Sequence, residues 1–490
     1  MPRAKTLKDL KHSGYEVVSV KEEVRRNLAR KIRAKEAIFP GIVGYDRTVI
    51  PQIQNALLAK HDLILLGLRG QAKTRLIRAL TSLLDDAIPA IAGCPLNDDP
   101  FRPVCARCKK LVAERGDDVE IHWIERPARY QEKLATPDVT MADLIGDIDP
   151  IKAARERLDL SDEGVIHYGI VPRTNRGVFA LNELPDLQPR IQVGLLNILE
   201  EKDLQIRGFP IRLPLDLLLV FTANPEDYTN RGNIITPLKD RIDSQIITHY
   251  PQSVEDAVAI TTQEAWTDRG APFRVPQFVR EIIEEIAFEA RKSEFVDQSS
   301  GVSARLPISA YENLLSNIER RALITGEERW TPRMCDLYSA LPAITGKIEL
   351  VYEGEQEGPT IVSLNLIGKA INKVFARHFP AVYKSKDKEA AEKGLGPYKE
   401  ISDHFAGGGR IEISDEMTFS DYYAELSKVP GLKALAKKHM KAADEDELAT
   451  IMEFVLDGLH QNSLVAKEAL DQRVRYSDML ANMFKNMKGA

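Results

Sequence analysis

From about residue 40 to 250 the chain alternates short, unbroken apolar runs with stretches whose apolar residues recur every three to four positions. Residues 61–66 (HDLILL), 178–181 (VFAL) and 215–222 (LDLLLVFT) are runs of the first kind and read as buried strands. Ile191, Leu195, Ile198 and Leu199 fall at i, i+4, i+7 and i+8, which predicts an amphipathic helix after the second run. Residues 74–84 read as a helix after the first. Strands separated by helices predict a mostly parallel, helix-covered sheet, an α/β fold. Between 204 and 213, LQIRGFPIRL alternates apolar and polar residues around a Gly-Phe-Pro turn, the pattern of a β-hairpin inserted before the third strand.

On either side the texture changes. Residues 24–39 (VRRNLARKIRAKEAIF) form a basic amphipathic pattern, ended by Pro40-Gly41. Beyond 250 the strand signals fade, and helical periodicity runs through 281–294 (EIIEEIAFEARKSE) and 310–323 (AYENLLSNIERRAL). A glycine-rich break at 404–410 (HFAGGGR) precedes a terminal segment, 416–490, that reads as helical. The expected organisation is therefore a basic N-terminal helix over 1–38 and an α/β core over 39–250. A helical lid over 251–345 and a mainly helical C-terminal region over 346–490 follow.

Composition narrows the setting. The chain has 490 residues, a hydrophobic content of 43% and a net charge of -6. That charge gives no overall attraction to nucleic acid or to an anionic membrane. No apolar run approaches the roughly 18 residues of a membrane span, and the basic N-terminus lacks the apolar stretch of a secretory signal. Four cysteines in this length are no disulfide scaffold, so a reducing, cytoplasmic interior is the expected location.

The first strand runs into Gly67-Leu68-Arg69-Gly70-Gln71-Ala72-Lys73-Thr74 and then at once into a helix. This is G-x-x-x-x-G-K-[ST] with Ala72 in place of the last glycine. Consecutive backbone N–H groups in such a turn form a nest for a phosphate, and the helix that follows adds the positive end of its dipole. Lys73 is placed to reach the β- and γ-phosphates of ATP, and the Thr74 hydroxyl to ligate Mg²⁺. The extra methyl of Ala72 is tolerable if that residue already has helical dihedrals.

The second strand ends in Asn182-Glu183 after four apolar residues, the layout of a Walker B segment with asparagine where aspartate is usual. Glu183, at the C-terminal edge of a parallel strand, is the candidate base for an attacking water. Asn182 has lost a full negative charge, which predicts weaker Mg²⁺ handling and slow or regulated hydrolysis. The third strand ends in Asn224, able to sense a γ-phosphate or hold the lytic water. Arg241, in TPLKDRI, fits an arginine finger, with a structural ion pair as the alternative. Arg305, opening a helix in the helical part, is a second candidate for the γ-phosphate.

Cys94, Cys105 and Cys108 form C-x10-C-x2-C after this first helix. The C-x2-C spacing suits zinc, but a structural site wants four ligands. His122 is the nearest candidate for the fourth, and Cys335 is remote in sequence. Three reduced cysteines in a loop are the alternative.

Together these motifs resemble the ATPase subunit of magnesium chelatase, within the AAA+ group that includes the MoxR proteins. The resemblance runs from about 39 to 320 and rests also on 39–45 (FPGIVGY), 92–100 (AGCPLNDDP, similar to the family's G-x-P-x-N-x-D-P), 142–153 (ADLIGDIDPIKA), 169–172 (GIVP) and 222–226 (TANPE). It implies an AAA+ core with a helical lid, and a homo-oligomeric ring, commonly a hexamer, with ATP at the subunit interfaces. It also implies a partner carrying a von Willebrand factor A domain, whose substrate such rings remodel or load with metal. Ala72 and Asn182 depart from the family pattern, and 346–490 matches no chelatase segment. Two other functions compete. A helicase-type nucleic-acid motor draws on the basic helix and on Arg207 and Arg212 of the hairpin, but the hairpin tip carries no lysine. A nucleotide-gated switch draws on Asn182. The G-A-F-T-G-A loop of enhancer-binding activators is absent.

Overall fold

The apolar runs of the N-terminal half become five strands: β1 (Leu63–Leu66), β2 (Tyr130–Leu134), β3 (Gly177–Asn182), β4 (Leu217–Ala223) and β5 (Ser244–Ile247). They form one sheet in the order β2-β3-β4-β1-β5, and every pairing in it is parallel. The computed structural model describes residues 3–159, 162–200, 213–225, 233–382, 395–470 and 473–479. It divides into two units, Met1–Tyr250 and Pro251–Ala490.

Continuous apolar strands are what a doubly covered sheet requires, because alternate side chains must bury on opposite faces. Leu63, Leu65, Val178, Ala180, Leu218 and Val220 enter one core. Their neighbours Ile64, Phe179, Leu181, Leu217, Leu219 and Phe221 enter the other. The first core is closed by α1 (Val20–Arg33), α2 (Val49–Leu58) and α3 (Lys73–Ala79), through residues such as Val24, Leu28, Ile53 and Ile77. The second takes Ile191, Leu195 and Ile198 from α5 (Pro189–Glu200), the periodic set of the sequence.

The basic pattern at 24–39 is helical only as far as Arg33, within α1, which starts earlier, with Ser19 as its N-cap, and docks by charge as well as by its apolar stripe. Lys21 Nζ lies 2.7 Å from Asp62, and the Val20 N–H donates to Asp216 at 2.8 Å. Glu23 and Arg129 form a two-pronged pair at 2.6 Å on each prong, with both side chains buried.

Between β1 and β2 lies an insertion: antiparallel strands Ala87–Ile91 and Ile121–Glu125, with α4 (Ala106–Arg115) between them in sequence. A second short antiparallel pair, Gly146–Ile148 with Ile166–Tyr168, precedes β3. The hairpin expected at 204–213 falls almost wholly outside the described residues.

The second unit is mainly helical. Among its helices, α7 (Gln277–Ala290), α8 (Arg305–Thr325), α9 (Pro359–His378) and α10 (Glu445–Gln461) contribute to one core that draws residues from Ala265 to Tyr476. It also carries a small antiparallel sheet that the sequence pattern does not suggest. Arg473–Ser477 lies at its centre, between Ile411–Ser414 and Ala466–Leu470. The segment AKEAL is made of good helix formers, and pairing with Arg473–Ser477 overrides that preference.

Candidate nucleotide site

β4 sits between the strand that feeds the glycine-rich loop and the strand that ends in the acidic pair. Leu66 of β1 pairs with Ala223 of β4, and Phe221 of β4 pairs with Leu181 of β3. The three strand ends therefore come out side by side at the C-terminal edge, where an α/β sheet places its ligand. The Gly67 N–H donates to the Ala223 carbonyl at 3.1 Å, tying the loop to the strand that delivers Asn224.

Each residue type in the loop has a visible reason. A Cβ on Gly67 would lie 1.8 Å from Thr248 Oγ1 and 2.2 Å from Gln71 Oε1, so a side chain there would displace both groups that brace the loop. Gly70 has φ +76°. Ala72 has φ +56° and ψ 17°, which is left-handed, so the condition of helical dihedrals is not met. The residue holds the glycine conformation at a steric cost of roughly 1–2 kcal/mol. The buried Lys73 ammonium turns back over the loop and donates to the carbonyls of Gly67 and Leu68. Thr74 is exposed at the start of α3.

Residues distant in sequence brace the loop. Thr248 Oγ1 donates to Gln71 Oε1 at 2.7 Å, and its N–H donates to the Leu66 carbonyl at 2.8 Å. The Tyr250 hydroxyl donates to the Arg69 carbonyl at 2.9 Å. The Tyr45 hydroxyl lies 3.0 Å from the Gln71 carbonyl and 2.7 Å from that of His249. Burial pushes the Tyr45 phenol up to about 12, so it remains a donor. Thr248 and Tyr250 escaped the sequence reading, and Tyr45 figured in it only as the end of FPGIVGY.

At the acidic end, Glu183 also has left-handed dihedrals, φ +56° and ψ 52°. Its N–H donates to Thr222 Oγ1 at 3.0 Å, and that hydroxyl in turn donates to Asn182 Oδ1 at 3.3 Å. Thr222 of β4 thus fixes the turn that carries Glu183 and holds Asn182. Among the described residues, Asn224 Oδ1 is buried with no hydrogen-bond partner, an acceptor left open at the strand end. Arg241 ends α6 (Thr236–Arg241), half-buried, with Nη1 donating to the Pro237 carbonyl at 3.0 Å. Gln192 of α5 positions the chain just before α6, accepting from the Ile235 N–H at 2.9 Å and donating to the Asn233 carbonyl at 3.0 Å. Arg305 is exposed at the first position of α8, in the second unit.

The three cysteines of the insertion are brought together and buried, but His122 is not with them. His122 is exposed on the strand Ile121–Glu125, and the fourth potential ligand beside Cys94, Cys105 and Cys108 is Asp98. Strand alternation explains the miss, since His122 points away from the buried side that Ile121 faces. Cys335 is half-buried in the second unit.

A parallel sheet of this order, with a glycine-rich loop and lysine after β1 and an acidic residue after β3, is the core of a P-loop nucleotide-binding protein of the AAA+ class. No protein-family model matches the chain. It is 28% identical over 231 residues to the magnesium-chelatase subunit ChlI homolog of Methanocaldococcus jannaschii, a match covering 45% of this chain and 57% of that protein. It is 26% identical over 197 residues to the magnesium-chelatase 67 kDa subunit of Heliobacterium mobile, covering 39% of this chain and 28% of that one. The chain is thus similar to magnesium-chelatase subunits, matched over little more than half the length of the first relative and less of the second. A solved structure of the complex between magnesium-chelatase subunits BchI and BchD aligns with a TM-score of 0.34 and 20% identity, over 65% of this chain and 98% of that one, too loosely to compare residues. No helix among the described residues is long and apolar enough to cross a membrane.

Proposed function

We propose that the chain binds and hydrolyses ATP as a homo-oligomeric ring and uses turnover to remodel or activate a protein partner. The observation that carries this reading is the convergence of the glycine-rich loop, Glu183 and Asn224 on three adjacent strand ends. The residues fit a nucleotide: the loop is shaped where a Cβ would be excluded, and Asn224 offers an open buried acceptor.

In this reading the loop N–H groups bind the β-phosphate. Lys73 exchanges its carbonyl contacts for the β- and γ-phosphate oxygens, which neutralise its charge better. Thr74, and Asn182 through water, would hold Mg²⁺, which would supply charge neutralisation for the departing phosphate. Glu183 takes a proton from the water that attacks the γ-phosphorus, and Asn224 orients that water. Arg241 reaches the nucleotide of a neighbouring subunit, so catalysis needs the interface, and Arg305 supports the same phosphate. The asparagine at 182 makes turnover slow.

The proposed division of labour is a basic N-terminal helix (1–38), an AAA+ core (39–250), a helical lid (251–345) and a mainly helical C-terminal region (346–490). The proposed partner carries a von Willebrand factor A domain, and the proposed setting is the cytoplasm. The test is phosphate release by the purified chain beside Lys73→Ala, Glu183→Gln and Asn182→Asp. Loss of turnover in the first two and faster turnover in the third supports the reading. Tight ATP binding with no turnover above the Lys73→Ala background replaces it with a nucleotide-gated switch.

A further inference from the structure

The insertion between β1 and β2 contains a buried cluster that ATP chemistry does not use. Cys94 follows the strand Ala87–Ile91, Cys105 is the N-cap of α4, and Cys108 lies in its first turn. The three sulfurs and a carboxylate oxygen of Asp98 lie within 4.8 Å of one another, with all four residues buried. Cys94 Sγ and Cys105 Sγ are 4.0 Å apart. That is far beyond a disulfide bond of about 2.05 Å. It is close to the roughly 3.8 Å edge of a tetrahedron with zinc–sulfur bonds of about 2.3 Å. An iron–sulfur cluster, whose four ligands are spread over two or more irons, needs a wider cage.

The Asp98 carboxylate is the second, independent observation. The residue has no solvent exposure. Its Oδ2 accepts from the N–H groups of Val104 at 3.0 Å and Cys105 at 2.9 Å, which fixes the orientation of the carboxylate. Among the described residues, its Oδ1 is buried with no hydrogen-bond partner. A buried carboxylate oxygen without a donor is costly, and a cation removes the cost. The sulfurs are prepared in the same way: the Leu96 N–H points to Cys94 Sγ at 3.4 Å, and the Cys108 N–H to Cys105 Sγ at 3.3 Å. Such N–H contacts favour thiolate ligands. Among the described residues, no lysine or arginine pairs with any of the four.

We infer that Cys94, Asp98, Cys105 and Cys108 hold one zinc ion in a closed, tetrahedral, structural site. The site staples an element with little else to hold it, since Cys108 is the one fully buried residue among the ten of α4.

The test is metal analysis of the full chain, purified under reducing conditions without a metal-binding tag, together with cobalt exchange. About one zinc per chain is expected, resistant to dialysis, and the cobalt form should show intense tetrahedral d–d bands with a thiolate charge-transfer band. Cys108→Ser should lose the metal. Asp98→Asn should weaken zinc at least about tenfold and shift the d–d bands while ATP binding persists. A chain that binds ATP yet holds no zinc and gives no tetrahedral cobalt spectrum overturns the site, as does a Cys94–Cys105 disulfide in that preparation. Unchanged zinc affinity and spectrum in Asp98→Asn overturn the ligand set.

Discussion

Two residues of the nucleotide site, Ala72 and Glu183, hold backbone conformations that L-residues avoid, and they do so for different reasons. At Ala72 the left-handed turn closes the loop before α3, and the side chain contributes nothing visible in return. Ala72→Gly should therefore raise stability by about 1 kcal/mol and leave ATP affinity equal or better, read by thermal unfolding and nucleotide titration. Destabilisation instead would show that the methyl makes a contact of its own. Glu183 is strained at the position proposed for the catalytic carboxylate, the kind of place where backbone strain accumulates. Gly67→Ala should abolish ATP binding, because the new methyl overlaps both Thr248 and Gln71. If equilibrium ATP affinity survives within about threefold, the loop is not the rigid cradle described here. The loop motif and the acidic strand end were legible because they are local in sequence. Thr248, Tyr250 and Asp98 were not, because each acts on residues that only the folded chain brings near.

At the scale of elements, the pairing of α1 with the core is the sharpest case of chemistry that periodicity understates. The pattern shows a basic helix with an apolar stripe, and its arginines suggest a surface for nucleic acid. Two ion pairs, one of each sign, carry the docking instead: Lys21 meets Asp62, and Glu23 is 3% exposed and bound at both oxygens by Arg129. Glu23→Ala leaves that guanidinium buried and unpaired, and should cost about 3–5 kcal/mol in chemical denaturation. Arg25→Ala, which breaks only an exposed contact with Glu22, should change stability by less than about 1 kcal/mol. Equal effects would place α1 on the surface after all. The core strands were legible from continuous apolar runs, whereas the small sheet of the second unit was hidden because Ala466–Leu470 is made of helix formers and Ile411–Ser414 lies far in sequence from its partner Arg473–Ser477.

Across the whole molecule, the second unit carries a buried titration that the site does not share. Burial raises Glu284 from its ordinary 4.5 to about 7, against the favourable field of Arg291. An acid whose folded pKa is raised keeps its proton longer when folded. Stability therefore falls as pH rises from about 4.5 to about 7 and is level above. Glu284→Gln should raise the unfolding temperature at pH 8 and not at pH 4, and a gain of equal size at both would assign the effect to packing. The remaining question is whether the nucleotide site is complete within one chain. The most direct measurement is ATP turnover by an equimolar mixture of Arg241→Ala and Glu183→Gln chains, each inactive alone. If Arg241 serves a neighbour's nucleotide, random assembly makes about a quarter of the interfaces intact, and turnover should return to about that fraction of the unmutated chain. Mixed assemblies that stay as inactive as their components would contradict catalysis at a subunit interface.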